Sequence, residues 1–301
     1  MLPIWYSPIY TDGLDPEARF PRERYRMVSD SLRSLCERGA IELREPEAMD
    51  PHDLCVVHDR SYVERFLSGT LDDSVVRRIG LRPWTPEIVE RTLILTNGTI
   101  EATRWAVFER SIAGNLGGGT HHAYHDFGSG YCIFNDLAVA AKLAQRDLGI
   151  GPVAILDLDV HQGDGTAALF EEDPSVTTIS FHCEKNFPFR KMKSDFDVPL
   201  EEGTGDEAYL ETLECFLEDQ MASRDFDLLF FQAGVDGLTT DRLGHLAMTR
   251  EGMKRRNEMV FEFAAARGLP LVITMGGGYG EPIETSVAAH TDLFEGAASV
   301  R

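Results

Sequence analysis

Four polar segments combine glycine with side chains that can bind a metal ion or move a proton. They are GGGTHH (117–122), DLDVHQGD (157–164), AGVD (233–236) and GGGYG (276–280). Each follows a short apolar run of the kind that forms a buried strand. In a parallel sheet the carboxyl ends of the strands meet at one edge, where open α/β folds bind their ligands. We therefore expect these four segments to form one site.

The second and third segments carry side chains suited to a transition metal. Asp159 and His161 alternate along the chain, and Asp236 follows a different predicted strand. Carboxylate and imidazole are ligands of Zn²⁺ and Fe²⁺, and three protein ligands leave a position for water. With Asp157, these aspartates require compensating positive charge, because unpaired buried carboxylates are very costly. Taken alone, Asp159 and His161 would be interpreted as a helix cap and a loop histidine, but their neighbours favour a metal site.

The adjacent His121 and His122 suggest proton transfer, because imidazole titrates near neutral pH. Asp157 and Asp164 belong to the same predicted edge and could each hold one ring nitrogen. The alternative is a surface histidine pair in a flexible glycine loop. No Lys-Ser/Thr pair follows the glycines at 117–119, so a phosphate loop is disfavoured.

Tyr279 lies among four glycines. Its phenol could donate a hydrogen bond to a developing oxyanion, and the flanking glycines allow close backbone approach. The alternative is a tyrosine that covers the core at a glycine-rich turn.

The elements that must position these residues alternate between helix and strand, which predicts a three-layer α/β fold with a central, mostly parallel sheet and helices on both faces. One domain is expected over residues 1–301, since no repeat or linker interrupts the chain. A helix is also expected around Glu23–Arg38. The predicted helices cover 85–109, 135–149, 205–222 and 248–268, and the predicted strands cover 111–117, 151–159, 176–183, 226–234 and 270–278.

Composition limits the class of protein. The chain has 301 residues, of which 43% are hydrophobic, so a disordered or collagen-like chain is excluded. No apolar run or leader pattern predicts a membrane span or secretion. The net charge of −21 disfavours nucleic acid and membrane surfaces as partners and suits a cationic substrate, although acidic surfaces often serve solubility alone. Five cysteines without paired spacing predict reduced thiols in the cytoplasm.

In this order, the segments GGGTHHA, DLDVHQGDG, AGVDGLTTDRLG and GGGYG resemble the histone deacetylase family of the arginase/deacetylase fold. The similarity runs from about residue 55 to the end, and the HQGDG, VPLEEGTGDEAYL and DRLG segments look most like class IV deacetylases and their bacterial relatives. The resemblance implies a zinc-dependent hydrolase, with Fe²⁺ as the alternative metal, which acts on acyl-lysine in proteins or on small acylated amines. It leaves the oligomeric state open.

The resemblance also implies a role for each matching residue. His122 with Asp164 would be the general base and then the acid, His121 with Asp157 would assist electrostatically, and Tyr279 would polarise the substrate carbonyl. The implied zinc ligands are Asp159, His161 and Asp236, and a structural K⁺ would be held by Asp157, Asp159, His161, Ser180 and Phe181. The implied walls and rim of the substrate channel are Tyr131, Phe187 and Leu243. Thr120 departs from the larger residue usual in the family, which leaves the pocket shape, and so the choice between acetyl and longer acyl groups, open. The resemblance to class IV segments implies a preference for a longer fatty acyl chain over acetyl.

Other readings remain open at this point. A ureohydrolase would bind two Mn²⁺ ions through a DxDxxDP segment, which is absent around Asp236. A catalytically silent regulator would be expected to lack Tyr279 or one of the histidines. An acetylpolyamine amidohydrolase fits the acidic charge, but such enzymes tend to carry a long insertion that narrows the entrance, and we find none.

Overall fold

Eight strands form one sheet in the computed structural model, which describes residues 1–300. The strand order is β2-β1-β3-β8-β7-β4-β5-β6, and every neighbouring pair is parallel. The strands are β1 (Leu2–Trp5), β2 (Ile41–Arg44), β3 (Ile112–Asn115), β4 (Val153–Asp157), β5 (Val176–Cys183), β6 (Phe196–Leu200), β7 (Leu228–Gln232) and β8 (Leu271–Thr274).

Helices surround this sheet, which confirms the predicted α/β fold. They are α1 (Ile9–Asp12), α2 (Glu23–Ser31), α3 (Arg33–Glu37), α4 (Arg60–Leu67), α5 (Asp73–Ile79), α6 (Glu87–Glu109), α7 (Asp136–Leu148), α8 (Asp164–Phe170), α9 (Asp206–Phe216), α10 (Arg250–Arg267) and α11 (Glu284–Ser299). A 3₁₀ turn covers Pro51–Val56, and a π-helical turn over Leu217–Met221 extends α9. Within residues 1–300, no helix is long and apolar enough to cross a membrane.

The central strands are apolar and buried on both faces, as strands covered by helices must be. All five residues of β4 and of β7 are buried. Helix ends follow local signals: Asn135 accepts a hydrogen bond from Ala138 N at the start of α7, and the left-handed Gly149 ends it. Thr249 and Gly268 bound α10 in the same way.

The structure differs from the sequence expectations at several elements. The expected helix around Glu23–Arg38 is two helices that meet at Leu32, and the α-helix expected to reach residue 222 changes to a π turn after Phe216. The weakly patterned N-terminal region supplies two strands that were not expected, β1 and β2, and both join the sheet in parallel. Strand β6 and helix α11 were not expected. Strand β6 contains Pro199, which an edge strand tolerates.

The sheet order explains how distant segments meet. Strands β3, β8, β7 and β4 are consecutive in space, and they precede the four polar segments of the sequence analysis. Since all four run in the same direction, their carboxyl ends open at one edge. The expected convergence of the four segments is confirmed.

Candidate active site

A cavity of about 550 Å³ opens at this edge of the sheet. Its floor is formed by five of the side chains singled out in the sequence: His121, His122, Asp159, His161 and Tyr279. Asp157, Asp164 and Asp236 lie behind this floor, and all three are buried.

Asp159, His161 and Asp236 form a compact group of metal-ligand atoms. One atom from each lies within 4.8 Å of the others. His161 Nδ1 is 2.9 Å from Asp159 Oδ1 and 3.1 Å from Asp236 Oδ2. The three side chains come from the ends of β4 and β7, as the sequence indicated.

Backbone and side-chain amide N–H groups fix both carboxylates of this group. Asp159 Oδ2 accepts hydrogen bonds from Gly277 N at 2.8 Å and from Gln232 Nε2 at 3.0 Å. Asp236 Oδ1 accepts one from Val160 N at 2.9 Å. A side chain at Gly277 would collide with the carboxylates of Asp159 and Asp236, which explains why glycine is needed at that position. Carboxylates that are oriented by hydrogen bonds in this way are typical of metal ligands.

The electrostatics of this group favour positive charge between its carboxylates. Burial and the charge of Asp159 raise the pKa of Asp236 to about 7. Burial opposes a charged ring at His161, but hydrogen bonds to Asp159 and Asp236 outweigh it and raise the pKa of His161 to about 10. Positive charge is therefore favoured between the carboxylates, as a ring proton or as a metal ion. Two carboxylates and an imidazole fit a divalent transition metal.

Each of the adjacent histidines is paired with a buried aspartate. His121 Nδ1 lies 2.6 Å from Asp157 Oδ2, and His122 Nδ1 lies 2.6 Å from Asp164 Oδ1. Because each carboxylate accepts a hydrogen bond from the Nδ1 of its histidine, the Nε2 atom of each ring is free to act on a substrate in the cavity. Tyr124 Oη donates to the second oxygen of Asp164 at 2.9 Å. The pairing expected for both histidines is present.

The two imidazoles differ in protonation although their rings are adjacent. Burial lowers the pKa of His122 to about 4, and the charge of His121 acts in the same direction. Burial also opposes a charge on His121, but the carboxylates of Asp157 and Asp159 raise the pKa of His121 to about 9. At neutral pH, the arrangement can therefore provide a neutral base beside a cationic ring.

Tyr279 completes the floor from the loop after β8. Burial raises the pKa of its phenol well above the usual value, so the hydroxyl remains a hydrogen-bond donor at neutral pH. Arg24 supports this loop by donating to Gly276 O and Gly278 O, both at 2.7 Å. The guanidinium carbon of Arg24 also lies 5.4 Å from the centre of the Tyr279 ring.

The expected channel residues Tyr131, Phe187 and Leu243 all line the cavity. The Phe187 ring lies 4.9 Å from that of His122 and nearly perpendicular to it. Tyr131 has a left-handed φ of 68° and donates its N–H to Ile79 O at 2.7 Å. Leu243 is 39% exposed, in keeping with a position at the rim.

Three of the residues expected to hold K⁺ lie on neighbouring strands behind the floor: Asp157, Ser180 and Phe181. Asp157 of β4 is opposite Ser180 of β5 in the sheet register, and Phe181 follows on the same strand. All are buried, as are the neighbouring Asp159 and His161. Ser180 Oγ is 3.0 Å from His182 Nδ1.

Asp136 and Arg256 support the site without any motif that would have marked them in the sequence. Asp136 accepts from Gly119 N at 3.1 Å and Thr120 N at 2.7 Å. Thr120 Oγ1 lies 2.5 Å from Asp136 Oδ1 and 2.6 Å from Phe134 O, donates its single proton to one of them, and accepts from Asp136 N at 3.1 Å. The Thr120 hydroxyl is therefore fully engaged. Fully buried Arg256 donates to the carbonyl oxygens of Leu158, Ala233 and Gly234. Leu158 directly precedes Asp159, and Ala233 and Gly234 precede Asp236 by three and two residues.

His58, from the N-terminal region, also supports the site by linking two segments next to it. Its Nδ1 donates to Tyr124 O and its Nε2 accepts from Asn135 N, both at 2.9 Å. A carbonyl can only accept and an amide N–H can only donate, so these partners specify a neutral ring. Burial accordingly lowers the pKa of His58 to about 4.

Comparison with known proteins shows which protein family this chain resembles along its length. A family model described as a histone deacetylase domain matches residues 18–294. An uncharacterised protein of Picosynechococcus sp. is 42% identical over 99% of both chains. Histone deacetylase 2 of Arabidopsis thaliana is 34% identical over 84% of this chain and 66% of its own. A histone deacetylase-like amidohydrolase of Pseudomonas aeruginosa is 28% identical over 93% of this chain and 77% of its own. The matched range 18–294 contains every side chain of the cavity floor.

Proposed function

Because the chain belongs to the histone deacetylase family, whose members hydrolyse acetyl-amides, we propose that it removes acetyl groups from acetyl-lysine side chains of proteins or peptides. The observation that carries this proposal is the cavity floor, where an Asp-His-Asp group, two histidine–aspartate pairs and a tyrosine converge. The aromatic walls suit the apolar stem of an extended lysine side chain.

Zinc is the proposed metal, with Fe²⁺ as the alternative, held by Asp159, His161 and Asp236. When bound, such an ion supplies Lewis acidity that polarises an amide carbonyl and makes a water molecule more acidic. We assign the buried residues around Asp157 and Ser180 to a structural K⁺, with Phe181 contributing a backbone oxygen.

The chain's own residues then perform the proton transfers. Neutral His122, oriented by Asp164, takes a proton from the attacking water and later gives it to the amine leaving group. Cationic His121, held by Asp157, stabilises the negative charge that develops nearby. Tyr279 donates its hydroxyl proton in a hydrogen bond to the carbonyl oxygen as that oxygen becomes an oxyanion.

Charge at the cavity favours acetyl-lysine over an acetylated polyamine. Among residues 1–300, Asp159 on the floor is the one carboxylate that lines the cavity, whereas the exposed cations Arg78 and Lys185 also line it. A polyamine keeps further ammonium groups that would require carboxylate partners along the wall. A peptide backbone carries no such charge.

The inner end of the cavity favours a short acyl group. Two buried arginines, Arg24 and Arg91, line it with Tyr25. A long fatty chain would gain about 0.8 kcal/mol for each buried CH₂, but here it would also displace water from guanidinium groups. Acetyl is therefore the proposed group, and a longer fatty acyl chain is the alternative.

The test is a kinetic panel of acetyl-lysine peptide, myristoyl-lysine peptide and acetylputrescine, each with and without a chelator. We expect the highest kcat/KM on acetyl-lysine peptide and loss of turnover on chelation. Preference for acetylputrescine would replace the proposal with polyamine hydrolysis.

A further inference from the structure

The rim of the cavity is cationic although the whole chain carries a net charge of −21. Arg78, at the end of α5, lines the cavity on one side. The segment 185–193, which contributes Lys185, Phe187 and Phe189 to the lining, also contains Arg190, Lys191 and Lys193. The charge that a substrate meets at the entrance is thus opposite to the average charge of the chain.

Arg78 and Arg190 are available for an external partner. Arg78 stacks on Phe127, with its guanidinium carbon 4.6 Å from the ring centre. The positive charges of Arg78 and Arg190 both act on the Tyr124 hydroxyl, so the two guanidinium groups lie on the same side of the molecule, and Arg190 directly follows Phe189 of the cavity lining. Within residues 1–300, neither arginine has a carboxylate within 4 Å, whereas Lys185 is paired with Glu202 at 3.1 Å.

The segment that carries Arg190 is held in place. Lys191 Nζ donates to Asn186 O and Pro188 O, both at 2.7 Å, and Gln162 makes two hydrogen bonds to the backbone of Met192. Asn186 also bonds to the backbone of Leu243 and His245 across the rim. These hydrogen bonds fix the backbone that carries Arg190.

Apolar side chains accompany this charge. Phe189 is 93% exposed and Leu243 is 39% exposed, and both line the cavity. Exposed aromatic and arginine side chains together are typical of surfaces that bind a peptide.

We propose that Arg78 and Arg190 select acetyl-lysine within an acidic peptide segment, whose Asp or Glu side chains flank the lysine. This inference rests on the proposed function and specifies its substrate. The flanking carboxylates pair with the two guanidinium groups while the acetyl-lysine enters between Tyr131 and Phe187. Because the pairs form at a solvent-exposed rim, each contributes modestly and is weakened by salt.

The test compares three acetyl-lysine peptides of equal length, flanked by Glu, by Gln or by Lys, and a capped acetyl-lysine without flanking residues. We expect kcat/KM for the Glu peptide to exceed that for the Lys peptide by about fivefold or more at low salt, and the ratio to shrink at high salt. In Arg78→Glu and Arg190→Glu the preference for the Glu peptide over the Lys peptide should be lost or reversed.

Arg38→Glu is the matched control, because it makes the same change of charge on an exposed residue that does not line the cavity. Arg38 caps the end of α3, which leads into the edge strand β2. Equal kcat/KM for the three peptides, with capped acetyl-lysine still hydrolysed, would overturn the inference alone. Equal loss of preference in Arg38→Glu would also overturn it. If capped acetyl-lysine and all peptides resist hydrolysis, the proposed function fails and the inference fails with it.

Discussion

Protonation of His58 should limit stability at acidic pH. This ring joins Tyr124, beside the Asp164–His122 pair, to Asn135 at the start of α7. A second ring proton would face the Asn135 N–H, which is itself a donor, so the folded chain resists protonation. We propose the substitution His58→Gln, whose amide can donate to one partner and accept from the other without titrating.

The magnitude follows from the pKa of His58, which burial lowers from 6.5 to about 4. Between these values the unfolded chain binds a proton that the folded chain does not, so stability is full above pH 6.5 and is lost as the pH falls toward 4. Going from about pH 7 to about pH 5, His58 alone should cost about 2 kcal/mol of unfolding free energy.

Urea unfolding of both proteins at the two pH values measures this contribution. The fall in unfolding free energy on acidification should be about 2 kcal/mol smaller in His58→Gln than in the parent chain. Other buried groups titrate in both proteins, so they cancel in the difference. An equal fall in both proteins would refute the reasoning and show that His58 is protonated in the folded state.

Three further predictions concern the site itself. Tyr279→Phe should lower kcat about 10²–10³-fold and leave the metal content unchanged, as measured by steady-state kinetics and metal analysis; unchanged turnover would assign Tyr279 to packing. Asp164→Asn should lower kcat far more than it changes KM, because His122 loses the partner that orients its ring, and an effect confined to KM would contradict that role. Arg256→Met should weaken metal affinity, measured by competition with a chelator, because the carbonyls of Leu158 and Gly234 lose their shared donor; unchanged affinity with lowered stability would limit Arg256 to a structural role.

The four glycine-containing segments could be recognised in the sequence because their chemistry is local. Asp159 and His161 are separated by one residue, His121 and His122 are adjacent, and apolar runs before them indicated strands. Sequence order could not show that β3, β8, β7 and β4 are neighbours, although a parallel sheet made a shared edge the natural expectation. The site roles of these residues stay predictions until they are tested.

The supporting residues could not be identified in this way. Arg24 and Arg256 look like ordinary helix-surface cations in sequence, and only the folded chain shows that both are buried against carbonyl oxygens. Strands β1 and β2 are four residues long and lack a strong pattern, so their place in the sheet depends on long-range pairing. The net charge of the whole chain suggested a cationic substrate, but net charge does not show how charge is distributed over the surface. The surface around Arg78 and Arg190 is locally positive.

Metal reconstitution tests the central claim most directly. Chelated protein should lose hydrolysis of acetyl-lysine peptide and regain it as about one Zn²⁺ or Fe²⁺ per chain is added back, whereas Asp236→Asn should bind the metal much more weakly and stay inactive. Full activity of the parent chain after verified removal of transition metals would contradict the assignment of Asp159, His161 and Asp236 as the metal ligands of a hydrolase.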